Sequence, residues 1–126
     1  MTFEHFALNV ADSRTHAQWY VNHLGFRIVR DVGGPANTLF LGDATSRVVV
    51  ELYSNATAAV PDYASAHPLC FHFAVVSDDA RVDRARLEAA GATFVEEVTP
   101  ADGSILIMLR DPWGVPVQLC QRARPF

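Results

Sequence analysis

Lysine is absent from the chain. All ten basic residues are arginine, and fourteen acidic residues outnumber them to give a formal charge of −4. Phosphate neutralisation needs clustered cations, so this balance argues against a nucleic-acid partner. Long apolar runs are missing too. None approaches the ~20 residues of a membrane-spanning helix. The first residues also lack the basic, apolar and small-residue blocks of a secretion signal. Cysteine is scarce: Cys70 and Cys120 both fall inside apolar, strand-like runs. That pattern suits reduced, buried thiols and not a disulfide framework. A cytoplasmic protein with no membrane partner is therefore expected. Half of the 126 residues are apolar and 19% are charged, which favours one compact folded unit over disorder.

The most informative feature is an internal repeat. His5-Phe6-Ala7-Leu8-Asn9-Val10-Ala11-Asp12 is echoed 67 residues later by His72-Phe73-Ala74-Val75-Val76-Ser77-Asp78-Asp79. In both copies a histidine leads an apolar strand and an aspartate closes it. The same offset maps Glu51-Leu52-Tyr53 onto Gln118-Leu119-Cys120, and the β-branched runs before them, Val48-Val49-Val50 and Val115-Pro116-Val117, correspond as well.

Each copy shows one order of elements. Alternation predicts a strand from Phe3 to Val10. Asp12 or Ser13 is a fitting N-cap, and Ala17, Tyr20, Val21 and Leu24 then recur at helical spacing up to Gly25. Strands follow over 26–32, 37–41 and 47–53. In the second copy, strands over 69–76, 92–98, 104–110 and 115–121 surround a helix that Asp78 or Asp79 caps and Gly91 ends. Asp111-Pro112-Trp113-Gly114 has the residues of a type I turn. The expected fold is α+β: a single domain of two βαβββ modules, about 1–53 and 69–121, with 54–68 as linker. A module of that size buries too little surface to stand alone. Its open sheet face needs a second module, from the same chain or another, and two paired curved sheets would enclose a cavity.

Strand side chains alternate faces. Phe6, Leu8 and Val10 should pack under the helix, while His5, Ala7 and Asn9 face inward. The same parity turns Glu51, Tyr53, His72 and Gln118 inward. One repeat position in four strands thus carries His5, Glu51, His72 and Gln118. A buried carboxylate is costly unless paired or metal-bound. Two imidazoles, a carboxylate and an amide oxygen suit a divalent cation such as Ni, Zn, Fe, Mn or Co. Asn9 and Tyr53 are candidate substrate contacts. The competing structural reading pairs Glu51 with an arginine such as Arg47 and leaves both histidines as ordinary strand residues. His16, His23 and His67 read as helix-surface or linker residues, and Arg81, Arg84 and Arg86 as a solvated helix face.

The doubled βαβββ pattern resembles the vicinal oxygen chelate superfamily, which includes glyoxalase I, bleomycin-resistance proteins and extradiol dioxygenases. The matching stretches are 5–12, Trp19-Tyr20 leading into Leu24-Gly25-Phe26, His72-Phe73-Ala74-Val75, and Arg110-Asp111-Pro112-Trp113-Gly114-Val115-Pro116-Val117-Gln118-Leu119. The resemblance implies ligands on the first and fourth strands of each module, the positions of His5, Glu51, His72 and Gln118. The bacterial glyoxalase I order is His, Glu, His, Glu, and this chain departs from it at Gln118. It also implies a homodimer acting on a small molecule. The expected function is a metal-dependent lyase or isomerase stabilising an enediolate-like intermediate of an oxygen-chelating substrate. Glu51, the only carboxylate of the four, is the expected base. Two alternatives stand beside it. One is a metal-free small-molecule-binding protein like the bleomycin-resistance proteins. The other is an Fe(II) dioxygenase using His5, His72 and Glu51 as a facial triad.

Overall fold

A computed structural model describes residues 1–126. The chain divides into two compact units, Met1–Pro61 and Asp62–Phe126. The first contains β1 (Phe6–Asn9), α1 (Ser13–Leu24), β2 (Arg27–Gly33), β3 (Thr38–Gly42) and β4 (Val48–Tyr53). The second contains β5 (Phe73–Val76), α2 (Ala80–Ala89), β6 (Thr93–Val98), β7 (Ile105–Arg110) and β8 (Pro116–Gln121). Each is a βαβββ module. The sheet orders, β1-β4-β3-β2 and β5-β8-β7-β6, are equivalent. In both, the first strand pairs parallel with the last and the other two pairings are antiparallel.

The helices start and stop for identifiable reasons. Asp12 holds an extended backbone, and its carboxylate accepts from the Arg14 and Thr15 N–H groups and the Thr15 hydroxyl. That satisfies donors a helix start leaves open. Asp79, 67 residues on, repeats the cap by accepting from Val82 N–H. Gly25 closes α1 at φ 72°, a left-handed conformation that costs glycine little. Ser13, His16, Ala17 and Tyr20 form the buried stripe of α1. They pack on the sheet face carrying Leu8, Leu39, Leu41, Val50 and Leu52. In the second unit Ala80 and Leu87 meet the face of Ile107, Leu109, Val117 and Leu119 in the same way.

The structure corrects three sequence expectations. The first strand of each module is four residues long, and His5 and His72 stand just before it. Parallel pairing runs only from Phe6↔Val50 to Asn9↔Tyr53, and from Phe73↔Val117 to Val76↔Cys120. Cys70 therefore lies in a turn, where its N–H donates to His67 C=O, and is exposed; Cys120 is buried as expected. His16 is 1% exposed, not a surface residue, with its ring edge-on to Tyr20 at 4.8 Å.

The repeat extends to an ion pair. Arg14 forks onto both Asp31 oxygens at 2.9 and 3.1 Å, joining α1 to β2. Arg81 forks onto Glu97 at 2.6 and 3.1 Å, joining α2 to β6. Hydrogen bonds from the two guanidinium groups hold the Asp31 and Glu97 carboxyls below their ordinary values of 3.8 and 4.5. The folded chain therefore binds fewer protons than the unfolded chain. The stabilisation is complete above the unfolded values and fades as pH falls through the lower folded ones. The expected result is a urea midpoint that is flat from about pH 7 to pH 5 and declines below about pH 4. A midpoint unchanged down to pH 3 would contradict these pairings.

Candidate functional site

In the first unit the parallel ladder sets Ala7 opposite Glu51. His5, two residues earlier, shares that face, and its imidazole Nε2 lies 3.3 Å from Glu51 Oε2. Both side chains are largely but not wholly shielded, at 28% and 21% exposure. The other ring nitrogen, Nδ1, contacts the Glu4 carboxylate. Phe40, the cross-strand neighbour of Glu51, closes on the His5 ring edge-to-face at 5.4 Å.

The second unit repeats the placement. Ala74 sits opposite Gln118, and His72 precedes Ala74 by two residues. Met108 takes the cross-strand place beside Gln118 that Phe40 takes beside Glu51. His72 Nδ1 is 2.9 Å from the Pro68 carbonyl oxygen. Burial pushes the Cys120 thiol up, against the opposing pull of Arg122. The neutral thiol donates to Gln118 Oε1 at 3.3 Å. Ala74, Val76 and Cys120, on this same sheet face, line a cavity of about 550 Å³ together with Ser77, Arg122 and Phe126.

Both histidines thus present the same nitrogen. A carboxylate or carbonyl oxygen cannot donate, so each Nδ1 carries the ring hydrogen. Each Nε2 keeps a lone pair in the neutral ring. A metal-ligating histidine has this arrangement, with its second nitrogen donating to a carboxylate or backbone carbonyl. In the first unit the Nε2 lone pair meets a carboxylate oxygen. Two electron-pair donors at 3.3 Å need a positive charge beside them, either a proton or a cation. Two ligands about 2.1 Å from one ion, about 90–110° apart, are separated by about 3.0–3.4 Å. The His5–Glu51 pair fits that spacing and chemistry. Neither unit holds three or more His, Cys, Asp or Glu side chains in an arrangement that could hold a metal ion; each contributes one imidazole and one side-chain oxygen.

The other candidates fall differently. Arg47 turns to Phe3 and not to Glu51: it donates to Phe3 C=O and lies over the Phe3 ring. Asn9 is buried and held by its own loop. Its oxygen accepts from Asn55 N–H, and its NH₂ donates to the Asn55 and Ala58 carbonyls. In this structure it anchors the chain leaving β4. Tyr53, half-buried beside it in register, shares strand parity with Glu51. Sequence reasoning missed Glu4, Pro68, Phe40 and Met108. Only Glu4 left a signal, an acid next to a histidine. The others need the turn before β5 and the β3 and β7 registers.

Comparison with solved structures places the architecture. SMU.1112c superposes with a TM-score of 0.71 at 25% identity, covering 95% of this chain and 98% of that one. A glyoxalase family protein from Enterococcus faecalis gives 0.70 at 25% identity, covering 94% and 96%. Glyoxalase I from Zea mays gives 0.75 at 24% identity, a likeness of fold, and the chain spans 44% of its length. No curated protein matches significantly. The profile of the Glyoxalase/Bleomycin resistance protein/Dioxygenase superfamily matches residues 2–119.

Proposed function

Since the chain belongs to the Glyoxalase/Bleomycin resistance protein/Dioxygenase superfamily, we propose that it is a metal-dependent lyase or isomerase of glyoxalase type. Its substrate is a small molecule with two adjacent oxygens and an acidic C–H beside a carbonyl. The observation supporting this most is the shared state of the two histidines. In each unit Nδ1 is tied to an acceptor and Nε2 is left as the donor.

His5, Glu51, His72 and Gln118 would hold the ion. A bound divalent cation such as Ni, Zn, Fe, Mn or Co supplies positive charge that steadies an enediolate-like oxyanion. Glu51 takes the proton from the carbon next to the carbonyl and returns it to the neighbouring carbon. It is the only one of the four with a basic oxygen, because the Gln118 amide cannot accept a proton at useful pH. Glu4 keeps the His5 ring oriented so that Nε2, not Nδ1, faces Glu51. Phe40 and Met108 place apolar surface beside the donors and restrict water there. A homodimer is the assembly we propose for the chain.

Elemental analysis tests the reading directly. Purified protein, or chelator-treated protein reloaded with Zn²⁺ or Ni²⁺, is expected to hold the ion at a fixed stoichiometry. Replacing both His5 and His72 with alanine is expected to abolish that binding. Failure to take up any divalent ion after reloading rejects the enzyme reading. Saturable binding of an organic ligand that ignores chelator would then support the alternative, a bleomycin-resistance-like binding protein. Oxygen uptake with catechols and ferrous iron would support the dioxygenase alternative.

A further inference from the structure

We propose that Arg110 is a positioning residue that fixes the tautomer and aim of His72 through the loop it anchors. The inference rests on His72 being a ligand and adds the group that makes it one. Arg110 ends β7 and is half-buried. One guanidinium nitrogen donates to the Tyr63 and Gly114 carbonyls at 2.7 and 3.0 Å, and the other to the Ala66 carbonyl at 2.7 Å. A fork that binds three backbone oxygens fixes loop geometry, because guanidinium donors are planar and rigid and each bond is charge-assisted.

The loop is held from a second side. Asp111, 2% exposed, accepts from the Trp113 and Val115 N–H groups and fixes the turn before β8. Gly114 in that turn packs so closely on the loop that a Cβ would lie 2.7–2.8 Å from Ala64 atoms. Two residues beyond Ala66 comes Pro68, buried, whose carbonyl oxygen is the acceptor for His72 Nδ1. Residues 54–72 contain neither helix nor strand, so no ladder or helix within the segment holds that carbonyl in place. The route from Arg110 to the imidazole runs through Ala66 and Pro68.

The first unit reaches the same end by other means. Strand pairing places Gly42 where the second unit has Arg110, since Arg27 pairs with Gly42 and Thr93 with Arg110. There the Glu4 side chain, not a loop carbonyl, meets the histidine Nδ1. An arginine present in one copy only matches a histidine whose acceptor is a backbone oxygen.

The test uses the full chain, labelled with ¹⁵N and free of metal, and reads imidazole tautomers by long-range ¹H–¹⁵N correlation. In the native protein His72 is expected to carry its hydrogen on Nδ1. In R110M it is expected to move toward the Nε2–H form that imidazole prefers in water, while His5, in the other unit, stays unchanged. R110K keeps the charge but cannot span the carbonyls, and it is expected to fall between the two. The Zn²⁺ dissociation constant is expected to rise about 10-fold or more in R110M. A His72 that remains Nδ1–H in both variants overturns the proposal. The tautomer is read without metal, so its shift in a protein that fails to bind Zn²⁺ would uphold the positioning role and reject only the metal reading.

Discussion

Exchanging Glu51 for glutamine is expected to lower turnover by about 100- to 10,000-fold, the usual worth of a positioned general base, while metal is retained. The reason lies in the repeat. Glu51 and Gln118 occupy equivalent ladder positions, opposite Ala7 and Ala74, so E51Q gives both units the same donor pair of one imidazole and one amide oxygen. The side chain keeps its length and loses its capacity to hold a proton. Loss of the carboxylate charge is expected to weaken metal binding, while the proposed base is removed completely. Proton abstraction is measured as solvent-deuterium exchange into α-hydroxycarbonyl compounds, with metal content determined on the same samples. Native exchange rates in metal-loaded E51Q would remove Glu51 from the proton transfer.

Tyr20→Ala is expected to destabilise the chain by about 3–5 kcal/mol, as for other buried aromatics truncated to alanine. Tyr20 is fully buried on α1. Its ring lies edge-on to His16 at 4.8 Å, Phe26 at 5.9 Å and Trp19 at 6.0 Å. Removing it leaves a cavity between the helix and the face of Leu39, Leu41, Val50 and Leu52. The neighbours sit in a helix and strands that cannot collapse independently. A loss of that size is a large part of the 5–15 kcal/mol that holds a typical domain folded. Urea unfolding should show a markedly lower midpoint with little change in slope. A shift equivalent to less than about 1 kcal/mol would contradict the α1 face being core.

The module order, both N-caps and the face alternation were legible because they depend on periodicity and local capping chemistry. The 67-residue offset alone paired Ala7 with Ala74 and Glu51 with Gln118, and the strand registers have that correspondence. Strand starts were less legible. Apolar composition continues through Leu69-Cys70-Phe71, but a strand needs a hydrogen-bonded neighbour, and the ladder to β8 begins at Phe73. His16 was misplaced because a polar residue in a helix reads as surface. Its burial follows from Ser13, His16, Ala17 and Tyr20 sharing one helical stripe. The groups that orient the candidate ligands were legible only where they adjoin them in sequence, as Glu4 adjoins His5. Pro68 and Arg110 act through a loop whose path no periodic pattern encodes.

The two copies are not equally long at every point. Phe94 follows Ile28 by 66 residues, Leu109 follows Leu41 by 68, and Gln118 follows Glu51 by 67. The connection through the helix is one residue shorter in the second copy and the β6–β7 hairpin is longer than the β2–β3 one, while a bulge in β4 that β8 lacks returns the strand bearing Glu51 or Gln118 to the same phase against the strand that follows the histidine. Side-chain parity would reverse if it did not. The scaffold therefore separates what must keep count from what is free to vary. Connections of new length can be grafted at the β2–β3 and β6–β7 turns, with His5 and Glu51, and His72 and Gln118, left in phase.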